Sequence, residues 1–169
     1  MNTVVGDNAF AGTNSDSNSA SNTVVGAFAM NVSSGAKENT AIGRDAGREV
    51  TSGDNNIFLG YNAGANDSTS GITTGSGNVI IGTVDPDSRT GDRQLKITGN
   101  DGSTATTWIS GDNNGIVTFA DDLIIKDSGT IGSASDTDLL TLGSAILTVA
   151  GEVQMTTLDI GGTNVTSTA

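Results

Sequence analysis

Asn39-Thr40-Ala41-Ile42-Gly43-Arg44-Asp45-Ala46-Gly47 is followed, 17 residues on, by Asn56-Ile57-Phe58-Leu59-Gly60-Tyr61-Asn62-Ala63-Gly64. Both stretches read Asn, a Thr or aliphatic residue, two apolar residues, Gly, two variable residues, Ala. The same order occurs upstream in Asn2-Thr3-Val4-Val5-Gly6 with Ala9, and in Asn22-Thr23-Val24-Val25-Gly26 with Ala29. Downstream it occurs in Asn78-Val79-Ile80-Ile81-Gly82. The five glycines are 20, 17, 17 and 22 residues apart, and the excess over 17 falls in stretches such as Thr13 to Ser21 and Asp67 to Gly77. Those stretches are Ser, Thr, Asn, Asp and Gly, which favour turns. A fixed strand joined by a loop of varying length is the pattern of a solenoid with insertions on one face.

Each apolar pair is short and rich in β-branched residues, which suits a strand better than a helix. The glycine after it permits a sharp turn or a close backbone approach. Stacked coils place the asparagines one above another, where each side-chain amide can bond to the next. The alanines stack where space is small. Side chains alternate faces along a strand, so Val4 and Val5, Val24 and Val25, Phe58 and Leu59, and Ile80 and Ile81 point to opposite sides. Both faces are therefore apolar, and both call for burial. One can line the coil interior; the other asks for a neighbouring chain.

Composition limits the alternatives. Gly accounts for 24 of 169 residues, with one Pro. Leu, Ile, Val and Phe together make up about a fifth of the chain, near the level at which a charged sequence fails to build a core of its own. Repetition or oligomerisation must supply the rest. A net charge of −12 leaves no basic surface for nucleic acid or for anionic lipid. The chain has no Cys and no His, so disulfides, zinc sites and His-based triads are excluded. No apolar run approaches the length that spans a bilayer as a helix.

There is no phosphate-binding glycine loop and no nucleophile elbow. The close carboxylate pairs are Asp85 with Asp87, Asp121 with Asp122, and Asp136 with Asp138. All lie in expected turns or strand ends, where solvated Asp is ordinary, so no enzymatic role, cofactor or metal is expected. Asp-Asn-Asn at 54–56 and 112–114 reads as turn rather than calcium loop. Arg44-Asp45 and Arg48-Glu49 read as a solvated surface or weak inter-chain ion pairs. Phe28 and Tyr61 are expected to fill an interface between chains.

The repeats around Gly43-Arg44-Asp45-Ala46-Gly47 and Gly60-Tyr61-Asn62-Ala63-Gly64 resemble those of bacteriophage tail fibres, especially marine and cyanobacterial ones. They are also similar to the head repeats of trimeric autotransporter adhesins. The resemblance covers residues 2–84, about half of the chain. It implies a homotrimeric, left-handed parallel β-roll, located on a virion and extracellular. Its implied partners are two identical chains, other tail proteins, and a host surface polysaccharide or outer-membrane receptor.

The pattern breaks at Val84-Asp85-Pro86, where Asp85 stands in place of the alanine. The roll is accordingly expected over residues 1–84, a linker over 85–93, and a shaft-like β-prism or interlaced sheet over 94–169. Short β-like runs follow at Gln94–Thr98, Thr104–Ser110, Gly115–Phe119, Asp122–Lys126, Leu139–Leu142, Ala145–Val149 and Val153–Ile160. Turn signals lie at Gly99–Gly102 and Gly111–Gly115. Trp108, the only tryptophan, is expected to anchor a small core near the junction, with a sugar-stacking platform as the alternative. Thr157 to Ala169 looks like the segment that precedes an intramolecular chaperone in many fibres, and both ends read as cuts inside a longer protein.

The expectation is thus an all-β fibrous homotrimer that extends a phage tail appendage and contributes to host attachment. A bacterial trimeric adhesin segment, a virion decoration fibre and a monomeric ion- or ice-binding solenoid are the alternatives.

Overall fold

The computed structural model describes residues 1–12, 19–65 and 69–121. The runs expected from Asp122 onward, the pair Asp136 and Asp138, and the closing stretch from Thr157 lie outside the described residues. Eight strands form one sheet in sequence order: β1 (Thr3–Val5), β2 (Thr23–Val25), β3 (Thr40–Ile42), β4 (Ile57–Leu59), β5 (Val79–Ile81), β6 (Leu95–Asn100), β7 (Ala105–Gly111) and β8 (Val117–Phe119). The first six pair in parallel, which makes a β-solenoid of five turns. No helix occurs among the described residues.

Register is strict. Val4, Val24, Ala41, Phe58, Ile80 and Lys96 form one column, and their neighbours on either side form two more. The central column turns inward: Val24, Ala41, Phe58 and Ile80 have no exposed surface. Parallel coils repeat the same side-chain position at every level, so a single mismatched volume would leave a void. The chain compensates within the coil. Four residues after the glycine it carries Phe10, Met30, Gly47 and Gly64. Met30 is fully buried beside the smaller Val24 and Ala41, whereas the large Phe58 lies against Gly47 and Gly64. A Cβ at either glycine would stand 2.5–2.7 Å from that ring.

The corner after each strand is a β-turn. The N–H groups of Ala9, Ala29, Ala46 and Ala63 donate to the carbonyls of Gly6, Gly26, Gly43 and Gly60. The third turn residue is left-handed in each case: Asn8, Phe28, Asp45 and Asn62 have φ of 50–58°, as a type II turn requires. The glycine itself has φ of 127–137° in the first four turns, a region open to glycine alone. The glycines stack so closely that a Cβ at Gly43 would lie 2.3 Å from the Gly60 carbonyl oxygen.

The solenoid runs past the boundary expected at residue 84. Val79 pairs with Leu95 in parallel, so residues 85–93 are the side of a further coil rather than a linker. The Gly64 N–H donates to the Val84 carbonyl, in the position where the earlier coils offer Ala46 or Ala63. Val84 therefore takes the place expected of residue 85, and Pro86 does not end the stack. Lys96 closes the inner column: its side chain is 14% exposed and its Nζ lies 2.7 Å from Asp87 Oδ1.

Beyond β6 the direction changes. β6, β7 and β8 form an antiparallel meander on the end of the same sheet. Its turns are held by side chains, with Asp101 Oδ1 accepting from the N–H groups of Ser103 and Thr104, and Asp112 Oδ1 from those of Asn114 and Ile116. A β-bulge interrupts the β6–β7 ladder: Ile97 faces Ile109 and Thr98 faces Thr107, which leaves Trp108 as the extra residue.

Candidate functional site

The repeat residues converge on two stacks inside the solenoid. In the first, the Asn2 Oδ1 accepts from both the backbone N–H and the Nδ2 of Asn22, at 2.9 and 3.1 Å. Asn22 receives Asn39 in the same way, Asn39 receives Asn56, and Asn56 receives Asn78, all at 2.8–3.1 Å. The second amide proton reaches a backbone carbonyl in the next coil: Ser19 for Asn2, Ala36 for Asn22, Gly53 for Asn39 and Gly75 for Asn56. Asn22, Asn39, Asn56 and Asn78 are at most 2% exposed. A buried amide is costly unless satisfied, and the ladder satisfies each one through its neighbour. These residues have no free group to offer a ligand; they hold the scaffold. Ala29, Ala46 and Ala63, fully buried, form the second stack, with Ala9 partly buried at its end.

Sequence reading missed several partners. Gln94 is the sixth rung, its backbone N–H and Nε2 both donating to Asn78 Oδ1. Its signal was a carboxamide directly before an aliphatic strand, without the following glycine. A further small-residue column stands three residues before each rung, at Ala36, Gly53, Gly75 and Gly91. The residue directly before each rung is left-handed, at Ser21, Glu38, Asn55, Gly77 and Arg93; these share no side-chain type, so no pattern could reveal them. A shorter polar ladder runs two residues before the rungs, where Lys37 N–H meets Asp54, Asp54 N–H meets Ser76, and Ser76 N–H meets Asp92.

The outward face differs. Two columns flank the buried one: Thr3, Thr23, Thr40, Ile57, Val79 and Leu95; and Val5, Val25, Ile42, Leu59, Ile81 and Ile97. Val5, Ile42, Ile57 and Leu59 are 39–58% exposed. The second column thus presents a ridge of aliphatic side chains in register over six levels, while the first is Thr at its first three levels and aliphatic at the last three. Contiguous apolar surface of this kind marks an interaction site.

Beside the ridge, Arg44 and Arg48 both pair with Asp45, at 3.2 and 3.5 Å. The guanidinium of Arg44 lies 5.5 Å from the centre of the Tyr61 ring, and that of Arg48 lies 5.9 Å from the centre of the Phe28 ring. These ion pairs are made within the chain. Asp45 is nearly buried while the arginines are half exposed, so the cluster ties three successive coils together along one edge.

Of the close carboxylate pairs, Asp87 is bound to Lys96. A depression of about 310 Å³ is lined by Asp87, Asp92, Gln94 and Asp112 among others, yet no group of three or more metal-binding side chains gathers among the described residues. Trp108 is 56% exposed and, among the described residues, lies outside the buried core; the bulge turns it out of the ladder, and its ring lies on Gly99, where a Cβ would come within 2.4 Å. Comparison with protein-family models, with curated proteins and with solved structures returns no match for this chain.

Proposed function

We propose that the chain is a structural, non-catalytic segment of a fibrous homotrimeric surface appendage of the phage tail-fibre type, working outside the cell and extending the fibre towards its host. The observation that carries this reading is the outer ridge. The inner column is closed by the chain's own coils, so the aliphatic column outside it, Val5 to Ile97, serves no purpose in a lone molecule. Burying one such side chain stabilises by about 1.5–3 kcal/mol, and six levels in register repeat the gain along the axis. Three ridges around a threefold axis would cover each other, with Phe28 and Tyr61 at their margin. The high negative charge keeps such a particle soluble, and the interior amide ladder gives stiffness along it.

The experiment is solution mass by light scattering on a size-exclusion column. A mass near three chains of 16.8 kDa supports the proposal. Ile42→Asp with Leu59→Asp should then return the mass to one chain while the β circular dichroism persists. A folded wild-type monomer overturns it. That second reading, a single-chain solenoid, draws on the fully enclosed inner column at Val24, Phe58 and Ile80.

A further inference from the structure

We infer that Trp108 and the groove beside it form a platform for a neutral saccharide. The inference rests on the reading of the chain as a surface-exposed appendage and names the chemistry that appendage would meet. The groove holds about 420 Å³ and is lined by Gly99, Asn100, Asp101, Thr104, Thr106 and Trp108. Trp108 is a flat apolar surface with one polar N–H, the shape that packs on the C–H face of a pyranose ring. Three features keep it in place. The bulge takes it out of the ladder, its carbonyl accepts from the Ala120 N–H, and Gly99 leaves room beneath the ring.

The rim supplies hydroxyl-binding groups. Asp101 Oδ1 is committed to Ser103 and Thr104, while among the described residues its Oδ2 makes no hydrogen bond and can accept from a sugar hydroxyl. Asn100 Oδ1 receives the Gly102 N–H, which leaves its amide protons to donate. Thr104 and Thr106 are exposed. An apolar wall with a few oriented polar groups is the make-up of a small-molecule site. The aliphatic column from Val5 to Ile97 has no aromatic ring and no carboxylate, which sets the two surfaces apart. A fixed carboxylate at the rim of a chain of net charge −12 disfavours uronates and other acidic sugars, so the expected ligand is uncharged.

The test uses the full chain, whose single tryptophan makes its own emission the reporter. Neutral β-linked glucose and N-acetylglucosamine oligomers, and separately a polyuronate oligomer, are titrated to about 10 mM at low and high salt. Expected is a saturable emission shift with a neutral oligomer, insensitive to salt and absent with the uronate. By calorimetry, Trp108→Ala should weaken binding by about tenfold or more, with Trp108→Phe and Asp101→Asn in between. Flat emission with every neutral oligomer overturns the inference. So does binding that high salt abolishes, which would assign the groove to a cation held over the ring. So does a Trp108 that acrylamide cannot quench in the assembled protein, since copies of the chain would then cover it. Light scattering on the same samples separates this from the assembly: a trimer blind to sugars sinks the platform alone, and a monomer that binds them sinks the trimer alone.

Discussion

The coils and the meander are built from the same material, short runs of Val, Ile, Thr and Phe, and only the coils bury it. Phe58 and Ile80 have no exposed surface, whereas Phe119 is 41% and Val117 52% exposed. The difference does not lie in strand propensity. In the coils each strand continues into turns that return the chain to the same column, so the side chain at every inner level is covered by the levels above and below. In the meander each strand turns straight back on its neighbour, and among the described residues nothing lies across the outer strands β7 and β8. Burial here comes from the period of the sequence, and substitutions that match one residue type across the two regions separate this from simple apolar content.

The largest contrast is expected between two glycines. Gly43→Ala would force a non-glycine φ of 135° and drive a Cβ against the Gly60 backbone, which neither coil can relieve. A loss of about 4 kcal/mol or more is expected by denaturant unfolding. Gly102→Ala, at φ 94° with open space around it, carries the backbone strain alone and should cost about 1–3 kcal/mol. Equal losses would mean that the stacking of glycines is not a tight contact.

Next come the phenylalanines. Phe58→Ala empties the slot between Gly47 and Gly64 and should cost about 3–4 kcal/mol. Phe119→Ala removes a half-exposed ring and should stay within about 1 kcal/mol. Similar values for both would show that the meander is covered in solution, by residues beyond 121 or by another copy, and would erase the comparison.

A smaller effect is expected from the amides. Asn56→Ala leaves the backbone N–H and Nδ2 of Asn78 without their acceptor, together with the Gly75 carbonyl. Buried orphans of this kind cost about 1–3 kcal/mol. Asn100→Ala releases only the exposed Gly102 N–H, and water replaces the lost partner.

These positions also show what the sequence could and could not reveal. The spacing of Asn, apolar pair, Gly and Ala repeats often enough to locate five strands and their parallel register, because each position serves one physical need. Where two residue types serve one need, the pattern fades. Gln94 supplies the same carboxamide as Asn78 but breaks the motif, so the sixth level was read as the start of a new region. Val84 fills the alanine's slot one residue early, and the lone proline looked like a stop. Trp108 was assigned to a core because tryptophan usually packs; a one-residue bulge between Ile97 and Thr98, which no local pattern encodes, turned it outward.

The mildest test is pH. The coil ladder is built of neutral amides, so its contribution does not titrate. The meander turn is held by Asp101, whose carboxyl is lowered from 3.8 to about 2, chiefly by the N–H groups of Thr104 and Ser103 and by the Ser103 hydroxyl. Asp112 is lowered as well, mainly by the Ile116 N–H. A carboxyl that is more acidic in the folded state favours folding above its unfolded value, and that contribution is lost as pH falls towards the folded value. Between about pH 4 and 2 the 101–104 turn should therefore loosen, whereas the amide ladder has no proton to gain. The amide shifts of Ser103 and Thr104, followed by NMR, should inflect near pH 2. An inflection of the turn at 3.8 would mean that its hydrogen bonds do not persist in solution, leaving the meander less ordered than the coils it caps.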